Sequence, residues 1–213
     1  MRFPGPNGHA IIQVSADGDN SIFLYPGSNE KITQGYVDSV LENFGENDIL
    51  LLQNEISNVE YIIDKASEKK MCIILNPSPF NEKISKIDFN KLSYIILNEV
   101  EAKCIHDFDT LKDGISFFKE EYPDLKIMLT LGSSGCVYID AENEIQQSAF
   151  KVNAVDTTGA GDTFTGYFVA GLAEGTEYKD ILKFSSAASA LSVSRPGAAP
   201  SIPVKNEVLD FIK

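Results

Sequence analysis

The sequence predicts an α/β fold built on a mostly parallel sheet, and three observations carry that prediction. Four short apolar runs, residues 49–52, 72–75, 94–97 and 127–131, have the length and composition of strands buried on both faces. Helical stretches alternate with them, the pattern of parallel strands joined by crossover connections. Each run then ends on polar or glycine residues: Gln53-Asn54-Glu55, Asn76-Pro77, Asn98-Glu99 and Gly132-Ser133. Open parallel sheets bind ligands outside the carboxyl ends of their strands, so this edge is where a cleft is expected.

Taken in order, residues 10–14 and 21–25 are β-type runs around Asp17-Gly18, which predicts a hairpin. Pro26-Gly27-Ser28-Asn29 leaves it as a loop. A helix over 59–70 joins the first two buried runs, and a short polar connection joins the second to the third. Helices over about 99–106 and 111–121 precede the fourth run. Residues 135–140 and 145–155 read as two more strands around the turn Asp140-Ala141-Glu142-Asn143. A helix starting near Asp162 places Phe164, Tyr167, Phe168, Gly171 and Leu172 on one face and stops at Gly175. A last helix, about 178–193, repeats Ile181, Phe184, Ala188 and Leu191. Its Ser/Ala-rich stretch, 185–189, suits a flat ligand or simply tight helix packing. The domain division expected is residues 1–30, hairpin and loop, and residues 31–213, the α/β core.

Composition narrows the function. A 213-residue chain with 43% hydrophobic and 23% charged residues is ordinary for one globular core. A net charge of −13 leaves no basic stripe for nucleic acid. No apolar run reaches membrane-spanning length, and the first eight residues lack the apolar core of a secretory signal. Cys72, Cys104 and Cys136 form no CxxC pair, so reduced thiols and a cytoplasmic location are expected. His9 and His106 lack metal-ligand spacing.

The most informative string is Asp156-Thr157-Thr158-Gly159-Ala160-Gly161-Asp162. Its small residues can present several backbone N–H groups in one direction, and the helix that follows adds the positive end of its dipole. Asp162 stands at the lip of this anion cradle, where a carboxylate could accept the proton of an attacking hydroxyl. A plain loop with Asp as helix N-cap fits the same residues. Asn98-x-x-Glu101 likewise reads as a capping pair, and Glu55 as a solvated carboxylate before the box Ser57-x-x-Glu60. Arg195-Pro196-Gly197 could be a simple helix stop.

Residues 156–164 resemble the C-terminal signature of the PfkB-type carbohydrate kinases, the ribokinase branch above all. Other stretches agree in order: Leu52-Gln53-Asn54-Glu55, Asn76-Pro77-Ser78-Pro79, Asn98-Glu99-Val100-Glu101, Thr130-Leu131-Gly132-Ser133-Ser134-Gly135 and Arg195-Pro196-Gly197-Ala198, with Ser201 and Pro203 beyond. The resemblance implies a ribokinase-like three-layer sandwich with a mostly parallel central sheet, and ATP-dependent phosphorylation of a sugar hydroxymethyl group. Asp162 would be the base, and Gly159, Ala160 and Gly161 the anion hole. Asn98, Thr130, Gly132, Ser133, Gly135, Gly161 and Ser186 would serve the nucleotide. Glu55 would reach a sugar hydroxyl. Asn98 and Glu101 would place Mg²⁺ through water. Asp156, Thr158, Arg195, Gly197 and Ser201 would enclose a monovalent cation, K⁺. The Gln53-Asn54-Glu55 and Asn76-Pro77-Ser78-Pro79 segments lean towards ribose, with another sugar or a nucleoside as the alternative.

Family members begin with a substrate-binding portion that includes a Gly-Gly element, and this sequence holds no Gly-Gly pair. The expectation is a chain whose N-terminal units are missing and whose hairpin is a lid remnant. Its uncovered sheet edge would then be completed by further chain or by a second copy, through the edge or the hairpin. Nucleotide contacts are expected to survive while sugar turnover is weak. A non-catalytic nucleotide-binding or interaction remnant is the competing reading. No G-x-G-x-x-G follows the first strand and no P-loop is present, which excludes a dinucleotide oxidoreductase and a Walker-type NTPase.

Overall fold

A computed structural model of the chain describes residues 5–14 and 20–213. The expected Asp17-Gly18 turn lies outside the described residues. Backbone contacts divide the chain into two compact units, residues 1–93 and 94–213.

In the first unit, β1 (His9–Val14) and β2 (Asn20–Tyr25) pair antiparallel, with His9 opposite Tyr25. Ile11, Phe23, Leu24 and Tyr25 are exposed on this ribbon. Residues 27–31 form a 3-10 turn where a loop was expected. Next comes α1 (Gln34–Leu41), which the sequence pattern does not reveal. The Thr33 hydroxyl caps it by accepting the Tyr36 amide at 3.2 Å, and Val37 and Leu41 bury its inner face. Strand β3 (Ile49–Gln53) and strand β4 (Cys72–Asn76) run parallel, with Gln53 beside Asn76 at their carboxyl ends. Helix α2 (Val59–Glu68) connects them, burying Val59, Ile62, Ile63 and Ala66.

Three expectations fail in this unit. Strand β3 is not buried on both faces, since Leu51 is 41% exposed. The Ser57-x-x-Glu60 box does not form. Asn58 takes the N-cap position with φ +63 and no side-chain cap, while the Ser57 hydroxyl donates to the Ile32 carbonyl at 2.9 Å. The connection after β4 is polar in composition but not short: it runs through two 3-10 turns, 84–86 and 89–91, and buries Ile84, Ile87, Phe89 and Leu92 between its polar residues.

The second unit starts at β5 (Tyr94–Asn98) and passes through α3 (Glu99–Ile105) and α4 (Leu111–Glu121) to β6 (Lys126–Thr130). Strands β5 and β6 are parallel, and their register sets Asn98 beside Thr130 at the carboxyl edge. Their apolar residues are almost wholly buried, each side chain worth roughly 1.5–3 kcal/mol relative to exposure. Strand β7 (Cys136–Ile139) then pairs antiparallel with β6, and β8 (Glu144–Gln147) antiparallel with β7. The strand expected over 145–155 therefore ends at Gln147. Its ladder partner begins at Cys136, so no partner continues it, and residues 148–155 carry no regular structure.

Helix α5 (Ala160–Ala173) packs on α6 (Tyr178–Val193) at a close crossing. A Cβ on Gly171 would stand 2.8 Å from Ile181 Cγ1, so the crossing needs that glycine. Gly175, with φ +68, follows the end of α5 as expected. Helix α7 (Lys205–Phe211), also absent from the sequence-based expectation, buries Val208 against Ala187 and Ala188 of α6. No described helix is long and apolar enough to cross a membrane.

Candidate active site

The second unit brings most of the expected site residues to its carboxyl strand edge and to the first turn of α5. The helix begins two residues earlier than expected. Gly159 is the N-cap, in the left-handed region at φ +76, so Asp162 is not a cap but the third residue of the helix. This turn has room: a Cβ on Gly161 would meet nothing within 4 Å. The Ala160 amide donates back to Thr157 at 3.2 Å, whereas among the described residues no protein acceptor takes the amides of Gly159 or Gly161. From α6, the Ser189 hydroxyl donates to the Ala160 carbonyl at 3.1 Å and steadies the turn, a bond not foreseen from sequence. Asp162 is exposed. It lines a groove of about 540 Å³ that also touches Gly166, Tyr167, Ala170, Phe184 and Ile202.

Upstream, the motif is held at both ends. The Val155 and Asp156 amides donate to the Val193 carbonyl at 2.7 and 3.2 Å. The Asp156 carboxylate accepts the Thr158 amide at 2.9 Å on one oxygen and the Gly197 amide at 2.9 Å on the other. Hydrogen bonds from the Thr158 amide and hydroxyl, then from the Gly197 amide, hold this carboxyl below its usual range. Gly197 has φ +84, a conformation that glycine adopts without strain. Asp156, Thr158 and Gly197 therefore meet. The Ser201 hydroxyl is buried and donates to the Ala198 carbonyl at 2.7 Å. Arg195 turns away from this group to pair with Glu207 of α7 at 2.7 Å. The oxygens present, the Asp156 carboxylate and the Thr158 hydroxyl, are hard donors, which suit an alkali cation better than a transition metal.

At the strand edge, Asn98 and Glu101 form the reciprocal capping box of α3. The Asn98 side chain accepts the Glu101 amide at 2.8 Å, and Glu101 Oε2 accepts the Asn98 amide at 3.0 Å. The other carboxylate oxygen stays outside the box on a residue only 7% exposed. Among the described residues no group of three or more His, Cys, Asp and Glu could hold a metal. Mg²⁺ would thus fit here only with water and phosphate oxygens as further ligands, its common mode of binding. Thr130 donates its hydroxyl to the Leu97 carbonyl at 3.2 Å. Gly132 and Ser133 sit exposed on a 3-10 turn. Gly135 is glycine for a steric reason: at φ +109, a Cβ would overlap the Gln147 carbonyl oxygen. Ser186 is buried, its hydroxyl 3.5 Å from Cys136 Sγ. Burial pushes the Cys136 thiol up to about 11, against a smaller lowering by Ser186.

Glu55 lies in the first unit, exposed after β3. Its neighbour Asn54 is buried, its side-chain amide donating to the Pro79 carbonyl at 2.6 Å and its backbone amide to the Ser78 carbonyl at 3.0 Å. Those bonds tie the end of β3 to the Asn76-Pro77-Ser78-Pro79 segment.

The pattern of the "pfkB family carbohydrate kinase" matches residues 4–205. The chain belongs to that family. Members are kinases, transferases that phosphorylate carbohydrates. The chain is 34% identical over 201 residues to the ribokinase of Bacillus subtilis, covering 93% of this chain and 67% of that one. Among solved structures, the ribokinase of Thermotoga maritima superposes with a TM-score of 0.85 at 32% identity, over 100% of this chain and 71% of the other. The ribokinase of Arabidopsis thaliana, solved with ribose and ATP, gives 0.80 at 28% identity, over 99% and 70%. The fold is thus ribokinase-like α/β, with a mixed, mostly parallel sheet.

Proposed function

We propose that the chain transfers the γ-phosphoryl group of ATP to the hydroxymethyl oxygen of a sugar, with ribose the preferred acceptor. Asp162 accepts the hydroxyl proton as that oxygen bonds to the γ-phosphorus, and the bond from phosphorus to the β,γ-bridging oxygen breaks to release ADP. The Gly159 and Gly161 amides bear the charge that develops on the phosphoryl oxygens, while the Ala160 amide between them donates to Thr157. Asn98, Thr130, Gly132, Ser133, Gly135 and Ser186 are assigned to the nucleotide and Glu55 to the sugar. Mg²⁺ held through Asn98 and Glu101 would neutralise phosphate charge, and K⁺ enclosed by Asp156, Thr158, Arg195, Gly197 and Ser201 would support the oriented dipoles of the turn. Functionally, residues 1–30 are assigned as a partial lid element and 31–213 as the nucleotide-binding core.

The observation that carries this reading is the pairing of open amides at Gly159 and Gly161 with a carboxylate on the same helical turn. The test is ADP release with ribose, Mg²⁺ and K⁺, comparing wild type with Asp162→Asn. The substitution keeps the shape and removes the base, so kcat should fall by roughly 10²–10⁴ while ATP affinity barely changes. Equal turnover by the variant would remove Asp162 from the role of base.

One observation favours a second reading, nucleotide binding without transfer. Asp162 is exposed and opens on an apolar groove, whereas a base and its anion hole act most strongly where water is excluded. That reading gives a rise of Tm with ATP and no ADP release.

A further inference from the structure

Between the end of α6 at Val193 and the 3-10 turn that starts at Ala199, the backbone belongs to no helix or strand. This stretch nevertheless carries Gly197, whose amide holds one oxygen of Asp156. Asp156 in turn holds the Thr158 amide, one residue before the N-cap glycine of α5. The geometry of the anion-binding turn therefore depends on where residues 194–198 are held.

At its far end the stretch is held by the Ser201 amide and hydroxyl, which donate to the Ala198 carbonyl at 3.1 and 2.7 Å, and two further kinds of anchor hold the rest. The local ones are α6-terminal bonds, from the Ser194 amide to Leu191 and from the Arg195 amide to Ser192, at 3.2 and 3.1 Å. The distant one is a side chain. Arg195 reaches α7, where its guanidinium donates to both oxygens of Glu207, at 2.7 and 3.4 Å. Glu207 is itself fixed, because one of those oxygens also accepts the Val204 amide at 2.8 Å at the start of α7. Glu207 thus joins the helix start to the irregular stretch with a forked pairing that defines direction as well as distance.

The pair is partly solvent-exposed, its side chains 33% and 43% accessible. Such pairs add little to global stability. Its consequence is local geometry.

We infer that Glu207 is a positioning residue for the phosphoryl-binding turn, acting through Arg195 and the Gly197–Asp156 bond. The inference deepens the kinase reading and rests on it for its effect on turnover, although the structural linkage stands by itself. Glu207 touches no substrate in this scheme.

The test uses the whole chain and the variants Glu207→Gln, Arg195→Gln and the double variant. A glutamine at 207 can still accept the Val204 amide, and Arg195→Gln leaves that cap untouched, so the helix start is preserved in both singles. The first readout is amide hydrogen exchange by NMR. Exchange at Gly197 and Thr158 should quicken about tenfold in each single variant, with no further increase in the double, and amides in the middle of α5 should not change. If only Glu207→Gln has an effect, Glu207 is a cap for α7 and the inference is overturned. Unchanged exchange in both singles overturns it equally.

The second readout is ADP release. Both singles should lower kcat about tenfold with KM for ATP within about twofold, as expected when a turn is misplaced but the groups that bind the nucleotide remain. Should wild type release no ADP at all, the kinase reading fails, while the exchange arm still decides the role of Glu207.

Discussion

Gly161 and Gly135 are both assigned to the candidate site, and they are glycine for opposite reasons. A Cβ at Gly135 would overlap the Gln147 carbonyl and lie 2.7 Å from the Ala149 nitrogen, on a backbone with φ +109. Gly135→Ala should therefore destabilise the fold by about 2–4 kcal/mol. At Gly161 a Cβ meets only open space, in the first turn of a helix where alanine is the better former. Gly161→Ala should leave Tm unchanged or slightly raised, yet place a methyl group where the phosphoryl oxygens would approach the amides. Thermal melts together with ADP-release rates separate the two: a stable, slow Gly161 variant and an unstable Gly135 variant. A Gly161→Ala protein with full turnover would argue against the anion hole. The local geometry of the candidate site was readable from sequence. The Asn98–Glu101 box and the open turn before α5 follow from residues three apart or adjacent. The cap was misread because Gly159 can occupy the left-handed N-cap, leaving Asp162 inside the first turn. The Arg195–Glu207 fork stayed hidden, since it joins residues on different elements through tertiary placement alone.

The β7–β8 hairpin shows how a single side chain can close an element. One Asp140 oxygen accepts the amides of Glu142 and Asn143 at 2.9 and 2.7 Å, and the other accepts the hydroxyl of buried Tyr138 at 2.9 Å. Burial alone would raise this carboxyl. The bonds from the Asn143 side chain, Tyr138 and the two amides outweigh it, and the net shift is downward from 3.8. A carboxyl that binds its proton more weakly in the fold stabilises it above the unfolded value and loses that contribution as pH falls through the folded one. The effect is therefore present above about pH 4 and fades below it. Asp140→Ala should cost about 1–3 kcal/mol at neutral pH, through unsatisfied amides and hydroxyl. Asp140→Asn, with no proton to gain, should cost less and show a flatter decline of stability on acidification, which urea melts between pH 3 and pH 7 would measure. An equally steep acid limb in the asparagine variant would assign the pH dependence elsewhere. At this scale the buried strands of the second unit were plain from sequence, because continuous apolar runs leave few alternatives. Helices α1 and α7 were not, since eight and seven residues burying Val37 with Leu41, and Val208, give too few turns for a period to stand out. The overlong strand after Glu144 shows the converse: β-type residues need a ladder partner, and β7 supplies none beyond Gln147.

For the molecule as a whole, charge is the property most at odds with the proposed ligand. The chain carries −13, with 31 acidic residues against 18 basic ones. A nucleotide triphosphate, anionic even with Mg²⁺ bound, would approach against that field, so under the proposed function its capture would rely on backbone dipoles and a cation close to the turn rather than on long-range attraction. Local dipoles act over a few ångströms and are little affected by salt, whereas repulsion from the whole surface is screened beyond the Debye length, about 10 Å at 0.1 M. The two contributions therefore separate by ionic strength. With K⁺ and Mg²⁺ held constant and an inert salt varied from about 0.01 to 0.15 M, the association rate of ATP should rise roughly two- to threefold while its dissociation rate stays nearly constant. Stopped-flow binding with a fluorescent ATP analogue measures both rates. An association rate that falls with salt would mean that a basic surface steers the nucleotide, and the anion cradle would no longer be needed to explain how so acidic a chain binds it.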